Sequence, residues 1–364
     1  MKKIIALLLA AVLLLGLAAC AATPSTDTQQ PAAADTTTTA PAADAAAPAA
    51  DAAAPADDAA APAEDKQLVI GFANIAEQVE LQIQVRESIE KAAAEAGVKL
   101  ITADNNYDGA KAVEIADNMI SQGIDGFIEF NIDESVGPVI MEKMNGAGIP
   151  VVAVDIGMDG ATFFGANNAL AGQVGGKRLG DVAQERWGTE PDCLLLVEDS
   201  TSGETALQRT ECTPDGLREV FPDFADDKII RLDSGTDAAS AQKAVSDFLS
   251  AHPDYHKIAI NTFNDVIATS TLAAIETAGR EADCIMVAEN EYGYLDYIKS
   301  TPNAPENEVW VGGVAFFFNR YGEYTVPAII SLIKGEQVEN PIYVDHTVIT
   351  RENAEQWFAD YLAG

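Results

Sequence analysis

Short apolar runs alternate with helix-length amphipathic patterns along most of this chain. The stretch 120–157 contains the clearest unit: an apolar run at 126–130, a helical pattern at 135–145 and a second apolar run at 150–154. These runs are too short for buried helices and are bounded by glycine or proline, so the pattern predicts strand, helix and strand. A connection through a helix is what a pair of parallel strands requires.

The same alternation continues through the rest of the chain. It predicts strands at 68–73, 98–102, 126–130, 150–154, 162–165, 193–197, 228–232, 257–261, 284–288, 309–314 and 342–349. The clearest helical patterns between them are 82–96, 109–121, 238–250 and 265–278. Alternation of this kind is typical of doubly wound parallel sheets, and the strands are too many for one compact sheet. The sequence therefore predicts an α/β fold of two parallel-sheet lobes.

Polar side chains follow nearly all of the predicted strands. They are Asn74, Asp104, Asn131, Asp155, Asn167, Glu198, Asp233, Asn264 and Asn290. After the predicted strand 309–314, the corresponding position is occupied by the aromatic residue Phe316. Each alone is more often a helix cap or turn residue than a ligand contact. Ligands of open α/β sheets bind outside the carboxyl ends of the strands, so the repetition predicts a polar cleft lined from both lobes.

The amino terminus has the pattern of an export signal. Lys2 and Lys3 precede an apolar run at 4–19, which is shorter than a membrane-spanning helix and ends in the sequence LAAC at Cys20. LAAC resembles the lipobox of bacterial lipoproteins, which implies a signal peptide at 1–19 and a lipid on Cys20. The alternative, an uncleaved signal anchor, is disfavoured by the length of the run and by the small residues before the cysteine.

Residues 20–65 predict a disordered tether after the lipidated cysteine. The segment is rich in Ala, Pro, Thr and Asp, and the sequence PAADAAA repeats within it. A proline in every repeat breaks a helix, and there is no apolar seam for a coiled coil.

The formal charge of the whole chain is −35, which argues against nucleic acid and against docking on anionic lipid. The expected location is the cell membrane, lipid-anchored and facing the extracytoplasmic side.

Catalytic and metal-binding patterns are weak in this sequence. GQVGGKR at 172–178 has arginine where a phosphate loop needs Ser or Thr, so its small residues more simply allow close helix packing. His252 and His256 flank Pro253 and predict a turn rather than a metal pair. Cys193 and Cys284 each open an apolar run and are most simply buried strand residues. Pairing of Cys212 with one of them stays open. We expect no enzyme activity, no metal and no cofactor.

From Lys66 to Asn353 the chain resembles the type I periplasmic binding proteins, in particular the ribose- and galactose-binding branch. The matching segments include FGANNALAGQVGGKRLGD, SGETALQR and AHPDYHKIAINTFNDVIATSTLAAIETAG. The resemblance implies an N-terminal lobe of 66–166 and 317–343 and a C-terminal lobe of 167–316 and 344–364. It further implies three crossovers that act as a hinge, a monomer, and delivery of the ligand to an ABC permease. The same fold also serves as a ligand sensor for a membrane kinase or chemoreceptor.

The resemblance also implies which residues bind the ligand. They are Gln78, Glu80, Gln82, Asp155, Asn167, Arg209, Asp237, Asn264, Asn290 and Phe316. Gln78, Glu80 and Gln82 occupy the loop in which relatives carry an aromatic pair, and Ile156 replaces an arginine. Phe316 is the expected stacking residue, with Phe263 and Tyr292 in reserve.

The charge of this residue set predicts the class of ligand. Glu80, Asp155 and Asp237 face one arginine, whereas a carboxylate or phosphate would need several cationic donors. Carboxylate and amide groups suit the hydroxyl pairs of a neutral sugar. The alternative is a nucleoside-like or cationic ligand.

Overall fold

The computed structural model describes residues 67–131, 133–235 and 237–363. The predicted signal peptide at 1–19, the predicted lipid site Cys20 and the predicted tether at 20–65 lie outside the described residues. Within those residues, no helix is both long enough and apolar enough to cross a bilayer.

The described residues form an α/β fold in which strands and helices alternate along the chain. The strands are β1 Val69–Asn74, β2 Lys99–Asp104, β3 Gly126–Glu129, β4 Val151–Val154, β5 Thr162–Ala166, β6 Cys193–Glu198, β7 Ile229–Asp233, β8 Ile258–Thr262, β9 Cys284–Glu289, β10 Trp310–Val314, β11 Ile342–Val344 and β12 Val348–Ile349. The helices are α1 Glu80–Glu95, α2 Gly109–Ser121, α3 Gly137–Ala147, α4 Asn168–Trp187, α5 Glu204–Glu211, α6 Thr213–Arg218, α7 Ala238–Ala251, α8 Asp265–Ala278, α9 Tyr292–Ser300, α10 Tyr321–Ile333 and α11 Ala354–Ala363, with a kink at Phe358.

Two six-stranded sheets organise this part of the chain. The first sheet has the order β11-β5-β4-β3-β1-β2 and the second has the order β12-β10-β9-β8-β6-β7. The pairs within the first sheet are all parallel, while β12 pairs with β10 antiparallel at the edge of the second. The predicted class, two parallel-sheet lobes, is confirmed. We refer to the first lobe and the second lobe by the sheet that each contains; the lobe boundaries predicted from the sequence stay a prediction.

The last predicted strand, at 342–349, is divided in the structure. β11 pairs with β5 in the first sheet, and β12 pairs with β10 in the second. The apolar pattern runs through both strands, but residues 345–347 carry the chain from one sheet to the other. The prediction of one continuous strand was therefore wrong.

The chain passes between the two sheets three times, and we call these three passages the hinge. The first crossover is Asn167, between β5 and α4; the second is residues 315–320, between β10 and α10; the third is residues 345–347. The amide of Ala315 donates to the carbonyl of Thr347 at 2.8 Å, which joins the second crossover to the third.

Apolar side chains cover both faces of the central strands in each sheet. β6 and β9 are buried along their whole length, as continuous apolar runs of parallel sheets usually are. Cys193 and Cys284 are the first residues of these strands and are buried, as predicted. Cys193, Cys212 and Cys284 are all free thiols.

Small residues let α4 and α6 pack with their backbones in contact. A Cβ atom at Gly176 of α4 would overlap the carbonyl oxygen of Thr213, and one at Gly216 of α6 would overlap that of Gln173. The segment GQVGGKR therefore serves helix packing, as predicted, rather than binding of phosphate.

Replacing Gly176 with alanine is expected to lower the free energy of unfolding by about 2 to 3 kcal/mol, because the methyl group forces the two helices apart. Urea unfolding followed by circular dichroism measures this change. The matched control is Gly146→Ala in α3, where a Cβ atom meets nothing within 4 Å. That change should raise the free energy of unfolding by about 0.5 kcal/mol, because alanine gives the unfolded chain less conformational entropy than glycine does. Equal effects of the two substitutions would contradict the close-packing argument.

Candidate functional site

A cavity of about 820 Å³ lies where the carboxyl ends of strands from both sheets meet. The first lobe contributes residues 155–159, which follow β4, together with Phe163 and Ala166 of β5. The second lobe contributes residues 202–206, Arg209 of α5 and Asn290, which follows β9. Phe316 and Tyr321 line the cavity from the second crossover and from the start of α10. Ligands of open α/β folds bind at such an edge.

Asp155 is held in place by its backbone and by hydrogen bonds from two donors. Its φ of 56° lies in the left-handed region, a strain that is typical of functional positions. The hydroxyl of Tyr321 donates to both carboxylate oxygens at 3.1 and 3.2 Å, and the amide of Ala166 donates to Oδ1 at 3.3 Å. Burial raises the pKa of Asp155 to about 6, although these two donors and the charge of Arg209 oppose the rise.

Arg209 presents a fixed cation to the cavity. Its guanidinium carbon lies 4.8 Å from the ring centroids of both Phe263 and Phe316, and Nε and Nη2 donate to Oδ1 of Asn168 at 3.0 and 2.8 Å. Burial lowers the pKa of Arg209, an effect opposed by the charges of Glu289 and Asp155. A guanidinium has about five N–H donors, so those that Asn168 does not use are available to a ligand oxygen.

Aromatic rings form much of the apolar wall. Phe316 and Phe318 are stacked, with centroids 6.2 Å apart and an interplanar angle of 12°. The amides of Phe316 and Phe317 donate to the buried carboxylate of Glu291 at 2.9 and 3.0 Å, which fixes this part of the second crossover. Flat apolar rings beside polar groups suit the C–H face of a hydroxylated ring.

The charged residues of the wall are mainly acidic. Glu134, Asp155, Asp159 and Glu204 line the cavity, and Arg209 is the cationic residue among the side chains that line it. An anionic ligand would meet repulsion from these carboxylates and find one guanidinium to bind.

The structure brings four of the ten predicted ligand-binding residues to the cavity: Asp155, Arg209, Asn290 and Phe316. Asn290 has a φ of 137°, and its Oδ1 accepts a hydrogen bond from the amide of Glu291 at 2.7 Å. These four residues follow strands of both sheets or lie on the helix after such a strand. Their roles in binding stay predictions.

Three of the other predicted residues act as N-caps and do not line the cavity. Asn167 accepts from the amide of Leu170, Asp237 from those of Ala239 and Ser240, and Asn264 from that of Ile267. A short polar side chain before a helix satisfies amides that have no partner within the helix. The capping alternative is thus the one seen for these positions.

The predicted loop residues Gln78, Glu80 and Gln82 also lie away from the cavity wall. Gln78 donates to Oδ1 of Asn106 at 2.6 Å, and Glu80 is exposed in the first turn of α1. Oε1 of Gln82 is buried without a hydrogen-bond partner among the described residues. The structure therefore does not unite this loop with Asp155 and Arg209.

Sequence reasoning missed two residues that shape the site. Asn168 holds Arg209, whereas the prediction chose its neighbour Asn167, which caps α4. Tyr321 donates to Asp155 across 166 positions of the chain. The aromatic run 316–318 followed by Tyr321 was an available signal. The second crossover of the hinge lies there, next to the edge of the sheets where ligands bind.

No group of three or more His, Cys, Asp and Glu side chains within the described ranges is arranged to hold a metal ion.

Two parallel sheets joined by three crossovers, with a polar cavity at their junction, define a two-lobed ligand-binding protein of the type I periplasmic class. The chain belongs to the family described as periplasmic binding protein domain, whose profile matches residues 70–337. Family membership agrees with the resemblance found in the sequence.

Among curated proteins, the chain is similar to sugar-binding relatives. It is 23% identical over 222 residues to the ribose import binding protein RbsB of Bacillus subtilis, which covers 59% of this chain and 68% of that protein. It is 24% identical over 278 residues to a putative rhizopine-binding protein of Rhizobium meliloti, which covers 72% of this chain and 82% of that protein.

Solved structures share the fold. A periplasmic solute-binding protein of an ABC transporter from Actinobacillus succinogenes, with bound D-allose, superposes with a TM-score of 0.64 at 17% identity, covering 80% of this chain and 100% of that one. A solute-binding protein from Bacillus halodurans, with bound myo-inositol, gives 0.61 at 20% identity, covering 81% and 98%.

Proposed function

We propose that this protein is an extracytoplasmic solute-binding protein that takes a neutral sugar or polyol into the cavity between its lobes and delivers it to an ABC permease. The observation that carries the proposal is the pairing, in one cavity, of the Asp155 carboxylate with the Arg209 guanidinium beside the Phe316 ring. A carboxylate accepts from hydroxyl groups, a guanidinium donates to hydroxyl or ring oxygens, and a ring stacks on an apolar face. Binding is the function this arrangement supports, rather than catalysis.

The relatives support the same class of ligand. Two relatives are named for binding ribose and rhizopine, and two similar solved structures contain bound D-allose and myo-inositol. The lining of the cavity fits a ligand that carries many hydroxyl groups and no negative charge. Closure of two lobes around such a molecule would bring groups from both sheets to it.

The proposal includes the attachment of the protein to the membrane. A lipid on Cys20 and a tether at 20–65 would hold the binding lobes beside the permease on the extracytoplasmic side, with the protein acting as a monomer. The mass of the mature amino-terminal peptide tests this part, because an unmodified Cys20 would contradict it.

The second candidate is a cationic or nucleoside-like ligand in the same cavity. Four carboxylates against one guanidinium favour it over any anion. A protonated amine would bind beside Glu134, Asp159 or Glu204 without a change in the fold.

A thermal-shift screen of the full chain tests the proposed ligand class. The panel contains D-ribose, D-allose, L-arabinose and myo-inositol, with glucosamine, adenosine and spermidine for the second candidate and glucose 6-phosphate as the anionic control. A ligand at a hundred times its Kd adds about 2.7 kcal/mol of stability. For a protein of this size that raises Tm by about 4 °C. We expect such a shift with one neutral sugar or polyol.

Other outcomes of the screen would change the proposal. A shift with spermidine or adenosine and none with the neutral sugars would replace the sugar with the second candidate. A shift with glucose 6-phosphate would contradict the charge argument for both.

A further inference from the structure

His346 lies where the three crossovers of the hinge meet. It belongs to the third crossover, and its ring nitrogens reach the other two. Nε2 accepts a hydrogen bond from the amide of Asn167 in the first crossover at 3.0 Å. Nδ1 lies 2.9 Å from the carbonyl oxygen of Ala315 in the second crossover. One side chain therefore joins all three passages of the chain between the lobes.

The two partners determine the state of the imidazole. A backbone amide can only donate and a backbone carbonyl can only accept, so Nε2 must carry a lone pair and Nδ1 must carry the proton. The neutral Nδ1–H tautomer satisfies both bonds, whereas the imidazolium would place an N–H group against the amide of Asn167. Burial has the largest effect and lowers the pKa of His346 to about 4. The charge of Arg209 lowers it further, while the Ala315 carbonyl and the Asp345 carboxylate oppose the shift.

His346 is also in contact with the wall of the cavity. Its ring meets the ring of Phe316 edge to face, with centroids 4.9 Å apart and an angle of 68°. Phe316 in turn lies under the guanidinium of Arg209. The imidazole therefore contacts the hinge directly and, through the Phe316 ring, is linked to the two cavity residues that would contact a ligand.

We propose that His346 is a positioning residue that fixes the relative orientation of the two lobes and the Phe316–Arg209 wall through its paired bonds to the first and second crossovers. The inference rests on the proposed function for its link to ligand affinity. The hydrogen bonds of His346 within the hinge can be tested without any ligand. His346 does not line the cavity and acts through Phe316 and the crossovers.

The test compares His346→Gln with His346→Leu in the full chain without added sugar. The glutamine amide has one donor and one acceptor and can replace both bonds, whereas leucine keeps bulk and loses both. Hydrogen exchange of the Asn167 amide, followed by NMR, should be about tenfold faster in His346→Leu and near the wild-type rate in His346→Gln. Small-angle scattering should show a larger radius of gyration for His346→Leu alone, because its lobes sample more orientations.

Two results would overturn the inference. One is an unchanged exchange rate and radius in His346→Leu; the other is a glutamine variant that behaves like the leucine variant. All of these measurements are made without sugar, so a negative sugar screen leaves their outcome intact. Affinity for D-ribose, D-allose and myo-inositol, measured afterwards on both variants, tests the link to the cavity: it should fall in His346→Leu and persist in His346→Gln.

A measurement on the unaltered chain remains decisive if the leucine variant fails to fold. The sequence contains three histidines, so long-range ¹H–¹⁵N spectra of the imidazoles resolve each ring. At pH 6 we expect the His346 ring to be neutral with its proton on Nδ1. An Nε2–H tautomer, or a charged ring at that pH, would contradict the proposed pair of bonds.

Discussion

Replacing Arg209 with methionine is expected to reduce the affinity for the bound sugar about a hundredfold. The change removes the cation that lies against the rings of Phe263 and Phe316, together with the N–H donors that Asn168 leaves available to a ligand oxygen. Each hydrogen bond from a charged donor to a ligand oxygen contributes about 1.5 kcal/mol, so the loss of two such bonds costs about 3 kcal/mol, a factor of about a hundred in Kd. Titration calorimetry with the sugar found in the thermal screen measures the loss.

The matched control is Arg186→Met in the same lobe. Arg186 is partly buried and donates to the carbonyls of Cys284 and Glu308 at the amino ends of β9 and β10, away from the cavity. Its replacement should lower stability while the Kd stays within a factor of about two. Equal losses of affinity in the two variants would place the binding site elsewhere.

Replacing Glu289 with glutamine is expected to make the protein more stable at pH 8, on the order of 3 kcal/mol. Oε1 of Glu289 accepts from Nδ2 of Asn261 at 2.8 Å, while Oε2 is buried without a partner among the described residues. Burial raises the pKa of Glu289 to about 8, against the effects of Asn261 and Arg209. A neutral amide of the same shape removes the cost of placing a charge there. Urea unfolding at several pH values measures the difference.

The direction of the pH dependence follows from the raised pKa. The folded state holds the Glu289 proton up to about pH 8, whereas the unfolded chain releases it near 4.5. The stability contributed by this group is therefore full below about pH 4.5 and is lost as pH rises to about 8. The gap between variant and wild type should grow over that window and vanish at its lower end. Burial raises the pKa of Asp265 to about 7 as well, so the wild-type slope has more than one source.

Glu198→Gln is the control with the opposite expected sign. Glu198 is also a buried carboxylate at the end of a strand of the second sheet, but it forms a 2.8 Å ion pair with Arg231 and accepts from the hydroxyl of Thr210. Removing its charge should lower stability at pH 8. If Glu289→Gln does the same, the Glu289 side chain is ionised in the folded protein and the argument from burial fails.

Most of the fold was predictable because its strands are short apolar runs with turn residues at both ends. The helices Gly109–Ser121 and Asp265–Ala278 begin and end at the predicted residues, since each starts after an N-cap, Asp108 or Asn264, whose signal is local. The division of 342–349 was not predictable in this way. Which sheet a strand joins depends on its partners, β5 and β10, which are distant in sequence.

The candidate site was predictable in part. Asp155 and Phe316 were predicted because they follow strands at the edge where ligands bind and because the resemblance implied them. Asn264 and Asp237 were included because the resemblance implied them, and local sequence cannot distinguish a polar residue that caps a helix from one that faces a cavity. Tyr321 was missed because its contact with Asp155 exists only after the second crossover brings the two segments together.

The order of strands along the chain has a consequence for biogenesis. The edge strands β11 and β12 complete the first and second sheets, respectively, and both lie within residues 342–349 near the carboxyl terminus. A chain that emerges amino end first therefore cannot finish either sheet until residues 342–349 have emerged. A product cut before residue 342 lacks an edge strand in both sheets.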